Sequence, residues 1–246
     1  MRHTYGSHPE QYVDRWAPAS APIGLAVLIH GGYWRGSFGA DLMEPLAADL
    51  TARGWNVANI EYRRVGRAGG YPATLQDATA AVTFAIGAAP SEHRIVLIGH
   101  SVGGELALLN ARRAHLVLAL APVTDVRRTF DEDLGEQAAI EFIGATPEQN
   151  PEAYATASPR YQLPVGRPVL ITHGLDDARV PVAHSRDYRD AAIRHGDNIE
   201  LREYARLPHG EQINPTSEHW AHALNGLPNN PFDRHSHRHM TFADTV

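Results

Sequence analysis

The 246-residue chain contains no cysteine, which excludes disulfides, thiolate nucleophiles and cysteine metal ligands. No apolar run approaches the ~20 residues of a helical membrane span. The polar N-terminus shows no basic-then-apolar leader. Charge of one sign is scarce too: the formal net charge is −6, with no basic stripe, so nothing points to nucleic acid or an anionic membrane as partner. A phosphate-cradling glycine loop and a dinucleotide fingerprint are both missing, and no cofactor or metal is expected. There is no internal repeat. What these absences leave is an ordinary globular chain, 43% apolar and 20% charged, acting on a small molecule and cytoplasmic by default. Homo-oligomerisation stays open.

What is present is a rhythm. Short apolar runs at 25–29, 55–62, 94–98, 115–120, 168–173 and 199–204 read as strands. Helical patterns follow several of them, over 42–50, 74–86, 104–113, 182–195 and 217–224, and a weak alternation at 11–16 reads as an edge strand. Asp41 is placed to cap the first helix. Strands alternating with helices predict an α/β domain with a doubly wound, mostly parallel sheet over residues 1–226. Residues 124–164 break the rhythm with an acidic run (Asp131, Glu132, Asp133) and prolines at 147, 151, 159 and 164, and they predict a small lid insertion. The acidic run reads as a solvated face. Residues 227–246 predict a polar tail carrying His235, His237 and His239.

One pentapeptide organises the rest. Gly99-His100-Ser101-Val102-Gly103 joins a strand to a helix, the context of a nucleophile elbow. Small residues two positions either side of Ser101 are needed because the turn is sharp. A serine hydroxyl needs a base, and the base an orienting acid, in the chain order Ser, acid, His. Asp176 and Asp177 both follow the strand at 168–173. His209 lies between the last strand and the last helix, with His219 as a competitor already inside that helix. His30-Gly31-Gly32-Tyr33-Trp34 follows an early strand and offers an oxyanion hole, with the N–H groups of Gly32 and Tyr33 joining that of Val102. His30 reads as a support for that loop. Tyr33 and Trp34 are candidate substrate-binding walls, against plain packing, and Phe130, Phe142 and Tyr154 are candidates to close over an aromatic leaving group.

These motifs resemble the α/β-hydrolase superfamily over nearly the whole chain. The residues His30-Gly31-Gly32-Tyr33-Trp34, Glu61-Tyr62-Arg63 with Tyr71-Pro72, Gly99–Gly104, and His173-Gly174 with Asp177 and Val180-Pro181 resemble its H-G-G-x-W branch, which includes kynurenine formamidase. The resemblance implies the α/β-hydrolase fold and a metal-free serine hydrolase. It favours Asp177 over Asp176, because the acid lies four residues before the proline, and it supports His209. It also implies an aryl formamide or a small acyl ester as substrate. A non-catalytic binding protein on the same fold is the rival from another class.

Overall fold

The computed structural model describes residues 1–91 and 93–225; the expected tail over 227–246 lies outside them. The strands are β1 (Arg2–Thr4), β2 (Tyr12–Trp16), β3 (Leu25–Ile29), β4 (Asn56–Ile60), β5 (Ile95–His100), β6 (Leu116–Leu120), β7 (Val169–Gly174) and β8 (Ile199–Tyr204). They form one sheet in the order β1-β2-β4-β3-β5-β6-β7-β8. The first two strands pair antiparallel, and from β4 across to β8 every pairing is parallel. The helices are α1 (Glu44–Ala52), α2 (Ala73–Gly87), α3 (Val102–Leu109), α4 (Val126–Asp131), α5 (Ala138–Ile143), α6 (Pro151–Ala157), α7 (Ala183–Arg194) and α8 (Glu218–Asn225). Among the described residues no helix is long and apolar enough to cross a membrane.

Side chains alternate across a strand, so a strand buried on both faces must be apolar throughout. In β3, Leu25, Val27 and Ile29 face Ala78 and Val82 of α2 and Leu106 of α3. Ala26 and Leu28 face the other way, toward Leu46 and Leu50 of α1 and Trp220 and Leu224 of α8. Each large apolar side chain so buried contributes on the order of 1.5–3 kcal/mol. This two-sided cover fixes the sheet, and the loops after β3, β5, β7 and β8 bring the candidate site residues to its carboxyl edge.

Two local readings change. Arg2–Thr4 forms a short edge strand on β2 that its polar residues give no pattern to reveal. Asp41 does not cap a helix: it lies inside a 3₁₀ turn (Ala40–Met43), and α1 begins at Glu44 with a proline in its first turn, where a missing N–H costs nothing. Between β6 and β7, α4 starts at Asp125, whose carboxylate accepts the Arg128 N–H at 3.0 Å. The start of α6 is marked by Asn150, which accepts the Ala153 N–H, and by Pro151. The acidic run is engaged: Asp131 pairs with Arg127, Glu132 with Arg128 and His184, and Asp133 accepts the Gln137 N–H. This segment is tied to the loop after β3, because Arg35 donates to Glu141 at 2.7 Å.

Candidate active site

Ser101 stands between β5 and α3 at φ 58, ψ −120, a strained conformation for a residue with a side chain. The close approaches around it explain the flanking glycines. A Cβ on Gly99 would sit 2.0 Å from the Gly103 carbonyl oxygen, and one on Gly103 would sit 2.0 Å from that of Ile29. The Ser101 N–H donates to Leu120 at 2.8 Å, and its carbonyl accepts from Gly104 and Val123. The elbow is thus sewn to β6 and α3, which holds a strained residue in place.

The loop after β7 separates the two candidate acids. Asp177 Oδ2 lies 2.7 Å from His209 Nδ1, and its Oδ1 accepts the N–H groups of Arg179 at 2.8 Å and Val180 at 3.0 Å. Burial alone would raise the Asp177 carboxyl. Hydrogen bonds from His173 and His209, the nearby charge of His209 and the Val180 N–H outweigh it, and hold the group well below the usual carboxylate range. Asp176 instead accepts the Leu207 N–H at 2.9 Å, tying down the start of the loop that carries His209. His219 is buried with Ser217 and the Gln212 carbonyl as partners, and it does not line the cavity that holds Ser101.

After β3 the chain runs through three consecutive residues of left-handed backbone: Gly32 (φ 119), Tyr33 (φ 50) and Trp34 (φ 57). The loop is braced from behind by His30, whose ring contacts Glu61 at 2.9 Å and stacks on Tyr62 at 4.4 Å. Among the described residues, the N–H groups of Gly32, Tyr33 and Val102 donate to nothing in the chain. That of Val102 opens α3, at a helix N-terminus where negative charge is favoured.

The aromatic readings divide. Tyr33 lines the cavity, and its hydroxyl donates to the Arg179 carbonyl at 2.7 Å. Trp34 is not a pocket wall. It is 1% exposed, stacks on Phe142 at 4.5 Å, and its indole N–H donates to Glu105 at 2.9 Å. A buried indole needs both packing and a partner, and the core supplies both. Burial pushes the Glu105 carboxyl well above its ordinary value against the pull of that hydrogen bond. Phe142 and Tyr154 are likewise core residues, and neither they nor Phe130 line the cavity.

The cavity beside Ser101 measures about 310 Å³ and is lined mainly by apolar surface, including Gly32, Tyr33, Phe38, Arg179 and His209. Two of its residues carry no signal in the sequence. His100, inside the elbow itself, is buried, and its Nε2 meets the His209 carbonyl at 3.0 Å, with the two rings 4.6 Å apart. Burial, then the neighbouring charge of His209, pushes His100 down to about 3, so it is a neutral donor that steadies the His209 loop. Arg179 is the second. It is the only Lys, Arg, Asp or Glu on the cavity wall among the described residues.

A strained Ser at an elbow, a His–Asp pair and unpaired N–H groups at the carboxyl edge of a doubly wound sheet define an α/β-hydrolase of the serine type. The chain belongs to the BD-FAE family, which it matches over residues 14–191. Solved structures show the same fold. A truncated carbohydrate esterase from gut microbiota superposes with a TM-score of 0.76 at 17% identity, over 92% of this chain and 93% of that one. An acetyl ester-xyloside bifunctional hydrolase from Caldicellulosiruptor lactoaceticus gives 0.71 at 22%, over 86% and 83%. A thermophilic esterase from the Planctomycetes species Thermogutta terrifontis, solved with propionate bound, gives 0.68 at 20%, over 85% and 84%. No curated protein matches the sequence.

Proposed function

We propose that the chain is a serine carboxylesterase that cleaves small acyl esters through an acyl-enzyme. The observation that carries this is the 2.7 Å contact of His209 Nδ1 with Asp177 Oδ2 on the wall of a cavity that also holds Ser101. Ser101 Oγ attacks the ester carbonyl while His209 Nε2 takes its proton. The oxyanion that forms is met by the N–H groups of Gly32, Tyr33 and Val102, a contribution of about 3–4 kcal/mol per donor in comparable sites. His209 then protonates the leaving alkoxide, and water repeats the sequence to free the acid. Asp177 keeps its charge throughout and fixes the ring.

A cavity near the lower end of the ligand-site range suits a small acyl group. The acetyl ester hydrolase and the propionate-bound esterase of similar fold agree with that size. The aryl formamide is the weaker substrate, because most of the aromatic surface expected for its amine lies elsewhere: Trp34, Phe142 and Tyr154 are spent in the core, which leaves Tyr33 of the expected residues, with Phe38, on the cavity wall. The test is a side-by-side rate comparison of p-nitrophenyl acetate, p-nitrophenyl butyrate and N-formylaniline, with fluorophosphonate labelling read by mass spectrometry. Ester turnover and labelling, both lost in Ser101→Ala by on the order of a millionfold in rate, are expected. Brisk formanilide hydrolysis beside slow ester hydrolysis would move the assignment to a formamidase. Full ester turnover in Ser101→Ala would remove the mechanism.

A further inference from the structure

We propose that Arg179 makes this cavity selective for esters that carry a carboxylate in addition to the scissile carbonyl. The inference rests on the serine esterase reading and adds the substrate class.

Arg179 is exposed and lines the cavity that holds Ser101 and His209. Its main chain is fixed at both ends: its N–H is bound by Asp177 and its carbonyl by the Tyr33 hydroxyl. Its guanidinium makes no ion pair or hydrogen bond among the described residues. That sets it apart from arginines such as Arg63, Arg128 and Arg186, which hold Asp77, Glu132 and Glu203. No carboxylate of the described residues lines the cavity to oppose it, and Asp177 is already committed to His209. Burial raises the Tyr33 phenol, and the nearby Arg179 charge works against that rise. A permanent cation held beside an apolar, acid-free cavity is a site for a planar anion, and guanidinium pairs with carboxylate through two parallel hydrogen bonds. A short ester bearing such a group would have its carbonyl at Ser101 and its carboxylate at Arg179.

Two ester pairs test this and distinguish which side of the ester carries the charge. On the leaving-group side, 4-acetoxybenzoate is compared with methyl 4-acetoxybenzoate. On the acyl side, p-nitrophenyl hemisuccinate is compared with p-nitrophenyl butyrate. In at least one pair, the anionic-over-neutral ratio of kcat/KM should fall tenfold or more in Arg179→Gln, through KM, and partly return in Arg179→Lys. Ratios within twofold of wild type in both pairs would overturn the proposal. A binding measurement needs no turnover: calorimetry on the Ser101→Ala protein should show 4-hydroxybenzoate binding at least tenfold more tightly than 4-hydroxybenzamide, with the difference lost when Arg179→Gln is added. Arg179-dependent binding in a protein that cleaves no ester would sustain the anion site and end the esterase reading. Ester cleavage with no Arg179-dependent discrimination in rate or binding would do the reverse.

Discussion

Replacing Asp177 by Asn changes one atom, and the structure dictates how the new amide must lie. Oδ1 accepts two backbone N–H groups, at 2.8 and 3.0 Å. An NH₂ in that place would face two donors, so the amide oxygen has to stay there. The NH₂ is then forced toward His209 Nδ1, where the carboxylate oxygen stood at 2.7 Å. His209 Nδ1 becomes an acceptor, the ring proton moves to Nε2, and the nitrogen that should take the Ser101 proton is blocked. A wrong tautomer of this kind costs on the order of 10⁴ in kcat, about 5 kcal/mol of barrier. Asp176→Asn is the control, because its oxygen can keep the Leu207 N–H, and it should change kcat by less than about threefold. Initial rates on p-nitrophenyl acetate, with circular dichroism to confirm the fold, decide between them. A kcat within tenfold of wild type in Asp177→Asn, or equal losses in the two variants, would refute the reasoning.

Other expectations follow from the same contacts. Trp34→Phe leaves the buried Glu105 carboxyl without its partner and should lose about 1–3 kcal/mol in urea unfolding. Glu105→Gln keeps an acceptor for the Trp34 indole N–H and should lose less than Trp34→Phe. Gly103→Ala drives a Cβ against the Ile29 carbonyl and should fail to fold stably or lose activity together with several kcal/mol of stability, read by thermal unfolding. His100, held at about 3 in the folded state against ~6.5 unfolded, gives a signed pH effect. Between those values the unfolded chain takes up a proton that the folded chain refuses, so stability falls as pH falls, while above pH ~6.5 the group contributes nothing. His100→Gln should flatten the fall between pH 6 and 4 by up to one proton's slope, and an unchanged slope in urea titrations would count against it.

Much of the frame was legible because its signals are local. Continuous apolar runs mark strands covered on both faces, and the elbow glycines answer contacts of 2.0 Å that no other residue survives. The order of Ser101, Asp177 and His209 could be read, but the choice between Asp176 and Asp177 could not be made from the residues alone. Both follow β7, and only the course of the loop sends one to His209 and the other to Leu207. Tyr33 and Trp34 were indistinguishable for a related reason: two adjacent aromatics in left-handed backbone diverge, one to the cavity and one to the core. His100 and Arg179 have roles set wholly by tertiary neighbours, and β1 is too short and polar to show a period.

Tyr33 has a consequence for how this molecule could change. Its ring lies against Gly135, where even a methyl group would come within 2.6 Å, and its hydroxyl holds the carbonyl of Arg179. One phenol therefore links the segment between β6 and β7, the loop after β3, and the turn that aims Asp177 at His209. That segment acts as a strut for the loop after β3. Grafting a different one onto this sheet, as a route to new substrates, would displace Tyr33 and disturb the rate along with the preference. Substrate range here should be easier to alter from the wall formed by Phe38 and Ile213, which touch the cavity without bearing on the Asp177 turn.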